Sequence, residues 1–176
     1  MEGRISCLRL VNKKQLANWI RDVAILRWGM KIVARLWAPR QCVGAVGAVL
    51  NSAGQVLLVE HLFRTDFPWG LPGGWIERGE NPRDTVRREI EEELQIQVEV
   101  RDLLCSEQVG LVARSTHPRH LGLGYYCRYV SGECAISAEV LSAQWVDALA
   151  IQQELAPFQR KAIALARQVF DREQAG

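Results

Sequence analysis

The stretch NPRDTVRREIEEEL (81–94) is the most constrained part of the chain. Asparagine is a favoured helix N-cap. Proline at the first helical position costs no hydrogen bond, because that N–H has no partner within the helix. Asp84 falls at the third position, where a carboxylate can answer the cap and suit the helix dipole. Val86, Ile90 and Leu94 recur every four residues and supply one apolar face. A helix over 82–94 is therefore predicted together with the face it buries.

This start places Glu89, Glu92 and Glu93 at i, i+3 and i+4, on one side and about one turn apart. Glu91 falls elsewhere and is expected in solvent. Like charges at this spacing destabilise a helix by about 0.2–0.5 kcal/mol per pair. Two arrangements relieve the repulsion. One is a solvated acidic face paired with Arg87 and Arg88. The other is a hard cation, Mg²⁺ or Mn²⁺, held by carboxylate oxygens. The preceding segment FPWGLPGGW (67–75) reads as loop. Its glycines would let backbone carbonyls approach a cation unobstructed, which favours the second arrangement.

The rest of the chain frames this helix. Its 176 residues suit one domain with a terminal extension, and 48% apolar content permits an ordinary core. A net charge of +2 gives no reason to expect nucleic-acid binding. The five cysteines show no C-x-x-C spacing, so reduced, buried thiols in a cytoplasmic protein are expected rather than zinc or disulfides. The first residues lack the apolar run of a secretory signal, and no window is free enough of charge to span a membrane.

Residues 15–38 are predicted as an amphipathic helix, ended by Pro39. Leu16, Trp19, Val23, Leu26, Met30, Val33 and Trp37 form its apolar stripe, and Arg27, Lys31 and Arg35 a basic one. It suits packing on its own domain, a homodimer contact, or weak attachment to an anionic membrane surface. Residues 1–40 are thus an N-terminal helical extension, and 41–172 the main domain. In that domain 42–50 and 55–62 read as strands of a hairpin around the turn NSAG. Further strands are expected at 97–109, 123–130 and 143–146, a long hairpin loop at 114–124, and a last helix at 157–171. The pattern is α+β with a mixed sheet.

Gly74–Ile96, GWIERGENPRDTVRREIEEELQI, resembles the signature of the Nudix hydrolases, G-x5-E-x7-R-E-U-x-E-E-x-G-U with U a bulky apolar residue. Gly74, Glu80, Arg88, Glu89, Ile90, Glu92, Glu93 and Ile96 occupy the specified places. Gln95 replaces the family's glycine. It must either take the left-handed conformation, at ~1 kcal/mol, or leave the helix differently.

The resemblance implies an α/β/α sandwich around a mixed curved sheet. It also implies hydrolysis of a phosphoanhydride in a nucleoside diphosphate linked to another moiety, such as a nucleoside triphosphate, ADP-ribose or a nucleotide sugar. Mg²⁺ or Mn²⁺ would be held by Glu89, Glu93, Glu92 and the Gly73 carbonyl. Glu92 would also position or deprotonate water, Arg88 would hold the carboxylates, and Glu80 would brace loop against helix. The general base stays open, with Glu107 ahead of Glu133 and Glu139. Arg64, Arg114 and Arg119 are candidates for the diphosphate, with charge on a polar loop as the plainer reading for the last two. His117 and His120 are weak metal candidates. Trp69 or Trp75 would stack on a base or pack locally. No subfamily mark is found, Val112 standing where ADP-ribose pyrophosphatases tend to have proline. A non-catalytic ligand sensor, or a membrane-associated hydrolase of a lipid-linked diphosphate, is the alternative.

Overall fold

In VGAVGAVL, β1 (Val43–Leu50), alternation sends Ala45 and Val49 to one face and Ala48 and Leu50 to the other, and all four are buried. A strand apolar on both faces belongs inside a covered sheet. The computed structural model describes residues 41–64, 66–110 and 119–176. The elements after β1 are β2 (Gln55–His61), β3 (Trp69–Gly70), β4 (Gly73–Trp75), α1 (Pro82–Leu94), β5 (Gln97–Val109), β6 (His120–Ser131), β7 (Val140–Asp147) and α2 (Pro157–Ala175). The predicted helix at 15–38, the 1–40 extension, Arg114, His117 and Val112 lie outside the described residues.

The seven strands form one mixed sheet whose path runs β3-β2-β1-β6-β5, with β4 on β1 and β7 on β2. β1 and β6 are parallel along the whole of β1, from Val43↔Leu121 to Leu50↔Arg128. The expected hairpin of β1 and β2 is a reversal with a single register pair, Leu50↔Val56. β2 instead pairs with β7 from Gln55↔Asp147 to His61↔Val140. One core layer joins Ala45, Val49, Leu57, Val59 and Cys127 to Val86, Ile90 and Leu94 of α1. The other joins Ala48, Leu50, Val56, Leu58 and Tyr126 to Phe158, Ala162, Ile163 and Ala166 of α2. The architecture is an α/β/α sandwich.

Two segments expected as loop are strand. Residues 69–75 supply β3 and β4, and β6 begins at His120 rather than 123. Glycine conceals both. A Cβ on Gly122 would sit 3.1 Å from the Phe158 ring and one on Gly124 3.1 Å from the Ala162 Cβ, so their absence lets α2 lie close on the sheet. β7 and α2 extend beyond the expected 143–146 and 157–171. Cys105 and Cys127 are buried, but Cys42 and Cys134 are exposed.

α1 starts as expected, with Asn81 Oδ1 accepting from the Arg83 N–H at 3.0 Å. Asp84 pairs with Arg87 at 2.8 Å instead of answering the cap. Gln95 takes the left-handed conformation, φ 56° and ψ 27°, and its N–H donates to the Glu91 carbonyl. Among the described residues it is the one non-glycine with positive φ. Gln95→Gly should raise stability by up to about 1 kcal/mol, the relieved strain less the greater freedom of an unfolded glycine. Denaturant unfolding measures this, and a loss of stability would show that the Gln95 side chain does more than tolerate the turn.

Candidate active site

Two consecutive glycines bring the β4 backbone against α1. Gly73 has φ 140°, and a Cβ there would meet the Ala45 carbonyl oxygen at 2.3 Å. A Cβ on Gly74 would fall 2.4 Å from the Glu89 carboxyl carbon. Glycine is therefore required twice, once for backbone conformation and close approach to β1, once to leave room for a carboxylate. The Gly73 N–H donates to Glu93 Oε2 at 3.1 Å. The spacing of loop and helix thus places Glu89 and Glu93 against adjacent residues of β4.

Arg88 holds the acidic groups together. Its Nε and Nη2 donate to Glu80 Oε1 and Oε2 at 2.9 and 3.1 Å. Its Nη1 donates to Glu89 Oε1 at 3.0 Å and Glu92 Oε2 at 3.2 Å, and Nη2 reaches the Trp75 carbonyl at 3.4 Å. Glu80 also accepts from the Glu77 N–H at 3.1 Å and the Thr85 hydroxyl at 2.7 Å. These donors, Arg88 foremost, hold its carboxyl down at about 2. These bonds link the 77–80 turn to α1 through Glu80. The guanidinium is stabilised in return, chiefly by Glu80.

Glu93 is 8% exposed. Burial, with Glu89 and Glu139 adding repulsion, outweighs the Gly73 N–H and Arg64 and pushes its carboxyl up to about 7. Burial also raises the carboxyl of Glu89 despite Arg88. His61 Nδ1 lies 3.8 Å from Glu93 Oε1. Burial, then Arg64, push that imidazole down to about 3, so at neutral pH this contact is not an ion pair. Arg64 is half-buried, and desolvation lowers its pKa against the pull of Glu93. Its Nη1 would lie 2.6 Å from a Cβ on Gly70, so glycine there leaves space for the guanidinium.

Among the described residues, no three acidic, histidine or cysteine side chains stand as a ready cage for an ion. Arg88 holds Glu89 and Glu92 while Glu93 turns to Gly73. The donor set nevertheless fits a hard divalent cation. Half-buried Glu89 and buried Glu93 set two carboxylates against β4, burial raising the pKa of both, and the Glu92 side chain is 62% exposed.

The other candidates are spread out. Glu107 of β5 pairs with Lys161 of α2, on the sheet face opposite α1. Glu139, ranked lower on sequence, adds its negative charge to both Glu89 and Glu93. Its backbone carbonyl accepts from the Leu62 N–H at 3.1 Å, and Ser137 N–H donates to the Glu93 carbonyl at 2.9 Å. Segment 135–139 thus folds back on the end of α1, a long-range contact with no local signature. Glu133 and Arg119 are exposed. Trp69 packs half-buried on β3, while Trp75 is 45% exposed and meets His120 edge-on at 4.7 Å. His61 carried no signal beyond its place at a strand end.

Relatives share this arrangement of sheet and helices. A MutT NUDIX hydrolase from Burkholderia pseudomallei is 28% identical, with TM-score 0.63 over 72% of this chain and 98% of its own. A MutT/nudix family protein from Enterococcus faecalis aligns with TM-score 0.65 over 93% of this chain and 76% of its own, and at 18% identity it shows the fold alone. In sequence, the nucleoside diphosphate-linked moiety X motif 6 protein of Xenopus laevis is 33% identical over 143 residues, 77% of this chain. An 8-oxo-dGTP diphosphatase of Haemophilus influenzae is 41% identical over 54 residues, 30% of this chain. The chain spans 60% and 40% of the lengths of these two relatives. The NUDIX domain model matches residues 39–166. With that match, with Glu93 bonded to the Gly73 N–H of β4 and with Glu80, Glu89 and Glu92 joined by Arg88, the chain belongs to the NUDIX family.

Proposed function

We propose that the protein is a divalent-metal-dependent hydrolase that cleaves a phosphoanhydride bond of a nucleoside diphosphate linked to another moiety. The observation that carries this reading is the pair of half-buried Glu89, bonded to Arg88 beside Gly74, and buried Glu93, bonded to the Gly73 N–H. The relatives named for nucleoside diphosphate-linked, 8-oxo-dGTP and RNA pyrophosphohydrolase chemistry support the same class. Glu89, Glu93, Glu92 and the Gly73 carbonyl would hold Mg²⁺ or Mn²⁺. When bound, such an ion neutralises phosphate oxygens and acidifies water.

The chain's own groups do the rest. Arg64 supplies a preset guanidinium beside Glu93, suited to a phosphate oxygen. Arg119, exposed at the start of β6, is available to the outer phosphate. Glu139 is the better-placed proton acceptor outside the helix, because its charge reaches both buried glutamates while Glu107 is held by Lys161. Glu139→Gln should lower kcat by about 10²-fold, the scale of a lost general base. Glu107→Gln should change kcat by less than about threefold, since exposed ion pairs contribute ~0–1 kcal/mol. Equal losses in both variants would remove Glu139 from this role. No helix among the described residues is long and apolar enough to cross a membrane.

The test is phosphate and nucleotide release from nucleoside triphosphates, ADP-ribose, nucleotide sugars, dinucleoside polyphosphates and a prenyl diphosphate, with Mg²⁺ or Mn²⁺ and with chelator. Chelator-sensitive turnover of one class is expected. Binding of these compounds without turnover would contradict the reading and favour a ligand sensor.

A further inference from the structure

His61 is the last residue of β2. The ladder between β2 and β7 shifts register after Glu60↔Ser142, where Leu141 of β7 is passed over, while the His61 N–H donates to the Pro68 carbonyl at 2.8 Å, in line with the β2–β3 pairs Val59↔Gly70 and Glu60↔Trp69. Ordinary strand alternation sets His61 on the same face as Leu57 and Val59, the face that packs on α1. The ring is buried, 9% exposed. Its Nδ1 faces Glu93 Oε1 at 3.8 Å, just outside hydrogen-bond range. Its Nε2 is wholly buried and makes no well-directed hydrogen bond, the Leu71 backbone being the polar group that favours protonation of the ring. An unmatched buried polar atom typically costs about 1–3 kcal/mol, and packing alone would be served better by an apolar ring. The residue is therefore poorly explained by stability, and the group it faces is the most buried of the acidic trio.

We propose that His61 is a positioning residue for the metal site, its Nδ1–H holding Glu93 Oε1 so that the carboxylate keeps one orientation toward the cation. Partners of this kind orient ligating side chains, and their loss typically weakens metal affinity by about 10–100-fold. The Gly73 N–H engages Oε2 from the other side, so the two donors together would fix both carboxylate oxygens. The inference rests on the metal reading of Glu93 given above.

The geometry sets a test by substitution. An asparagine amide nitrogen is bonded to Cγ, as imidazole Nδ1 is. A glutamine amide nitrogen lies one bond farther and matches Nε2. Mn²⁺ dissociation constants are measured by electron paramagnetic resonance for the full chain and for His61→Asn, His61→Gln and His61→Phe, with thermal unfolding of each in chelator. Asn should keep affinity within about threefold, while Gln and Phe weaken it by about 10–100-fold. Phe should do so while unfolding at the same or a higher temperature, because it removes the unmatched Nε2. Wild-type affinity in the Phe variant, or equal losses in Asn and Gln, would overturn the inference. If Phe does not fold, the Asn and Gln comparison decides alone. Absence of Mn²⁺ binding by the unaltered chain would overturn the metal reading as well, an outcome distinct from the other two.

Discussion

Glu93→Gln should remove nearly all turnover and, in the metal-free protein above pH 7, increase stability. The first effect follows from losing the buried member of the acidic pair, and a fall of about 10²–10⁴-fold is the scale for a group that acts in the transition state. The second follows from the sign of the Glu93 shift. Its carboxyl is raised from 4.5 to about 7 in the folded chain. Below pH 4.5 it is protonated in both states and costs nothing. Between 4.5 and about 7 the unfolded chain releases the proton while the folded chain keeps it, so stability falls as pH rises. Above pH 7 the folded chain carries the full cost, on the order of 3 kcal/mol at about 1.4 kcal/mol per unit. A neutral amide can still accept from the Gly73 N–H and escapes that cost. Urea unfolding of both proteins in chelator at pH 5 and pH 8 measures it. The curves should coincide more closely at pH 5 and separate at pH 8, with the variant the more stable. Wild-type turnover by the variant would contradict the ligand assignment.

Arg88→Ala should damage fold and activity together, unlike Glu93→Gln. The guanidinium joins Glu80, Glu89, Glu92 and the Trp75 carbonyl, and its side chain is 28% exposed. Removing one partner of a buried ion pair costs about 3–5 kcal/mol, and partial exposure here reduces that to about 1–3. Turnover should fall about 10–100-fold, because Glu89 and Glu92 lose the group that orients them. Arg88→Lys should restore charge but little function, since an ammonium cannot reach Glu80 through two parallel bonds and Glu89 through a third nitrogen. Full activity in the Lys variant would reduce Arg88 to a neutralising charge.

What the sequence made legible was local. Asn81-Pro82, the four-residue spacing of Val86, Ile90 and Leu94, and the placing of Glu89 and Glu93 depend on neighbours within a turn or two. All were readable because helix geometry is short-range. Gln95 was readable as a choice between two exits, and the structure takes the strained one. What escaped was long-range or concealed by glycine. Nothing near Gly73 or Gly74 reports that β1 approaches on one side and Glu89 on the other, so strand was read as loop. The parallel pairing of β1 with β6 joins residues far apart in sequence. Glu139 reaches the site only because 135–139 folds back on α1, and His61 only because the face of β2 that carries Leu57 and Val59 packs on α1. Glu107, read as a candidate base on a strand after the signature, pairs with Lys161 on the sheet face opposite α1.

In the proposed function Glu93, with Glu89, receives a divalent cation in place of a proton. Titrating the chain with Mn²⁺ at pH 6, 7 and 8, and following free ion by electron paramagnetic resonance, tests it most directly. A carboxyl raised to about 7 must lose its proton to bind, so affinity should weaken about tenfold from pH 8 to pH 6 and be lost in Glu93→Gln. Equal affinity across that range, unchanged in Glu93→Gln, would contradict it.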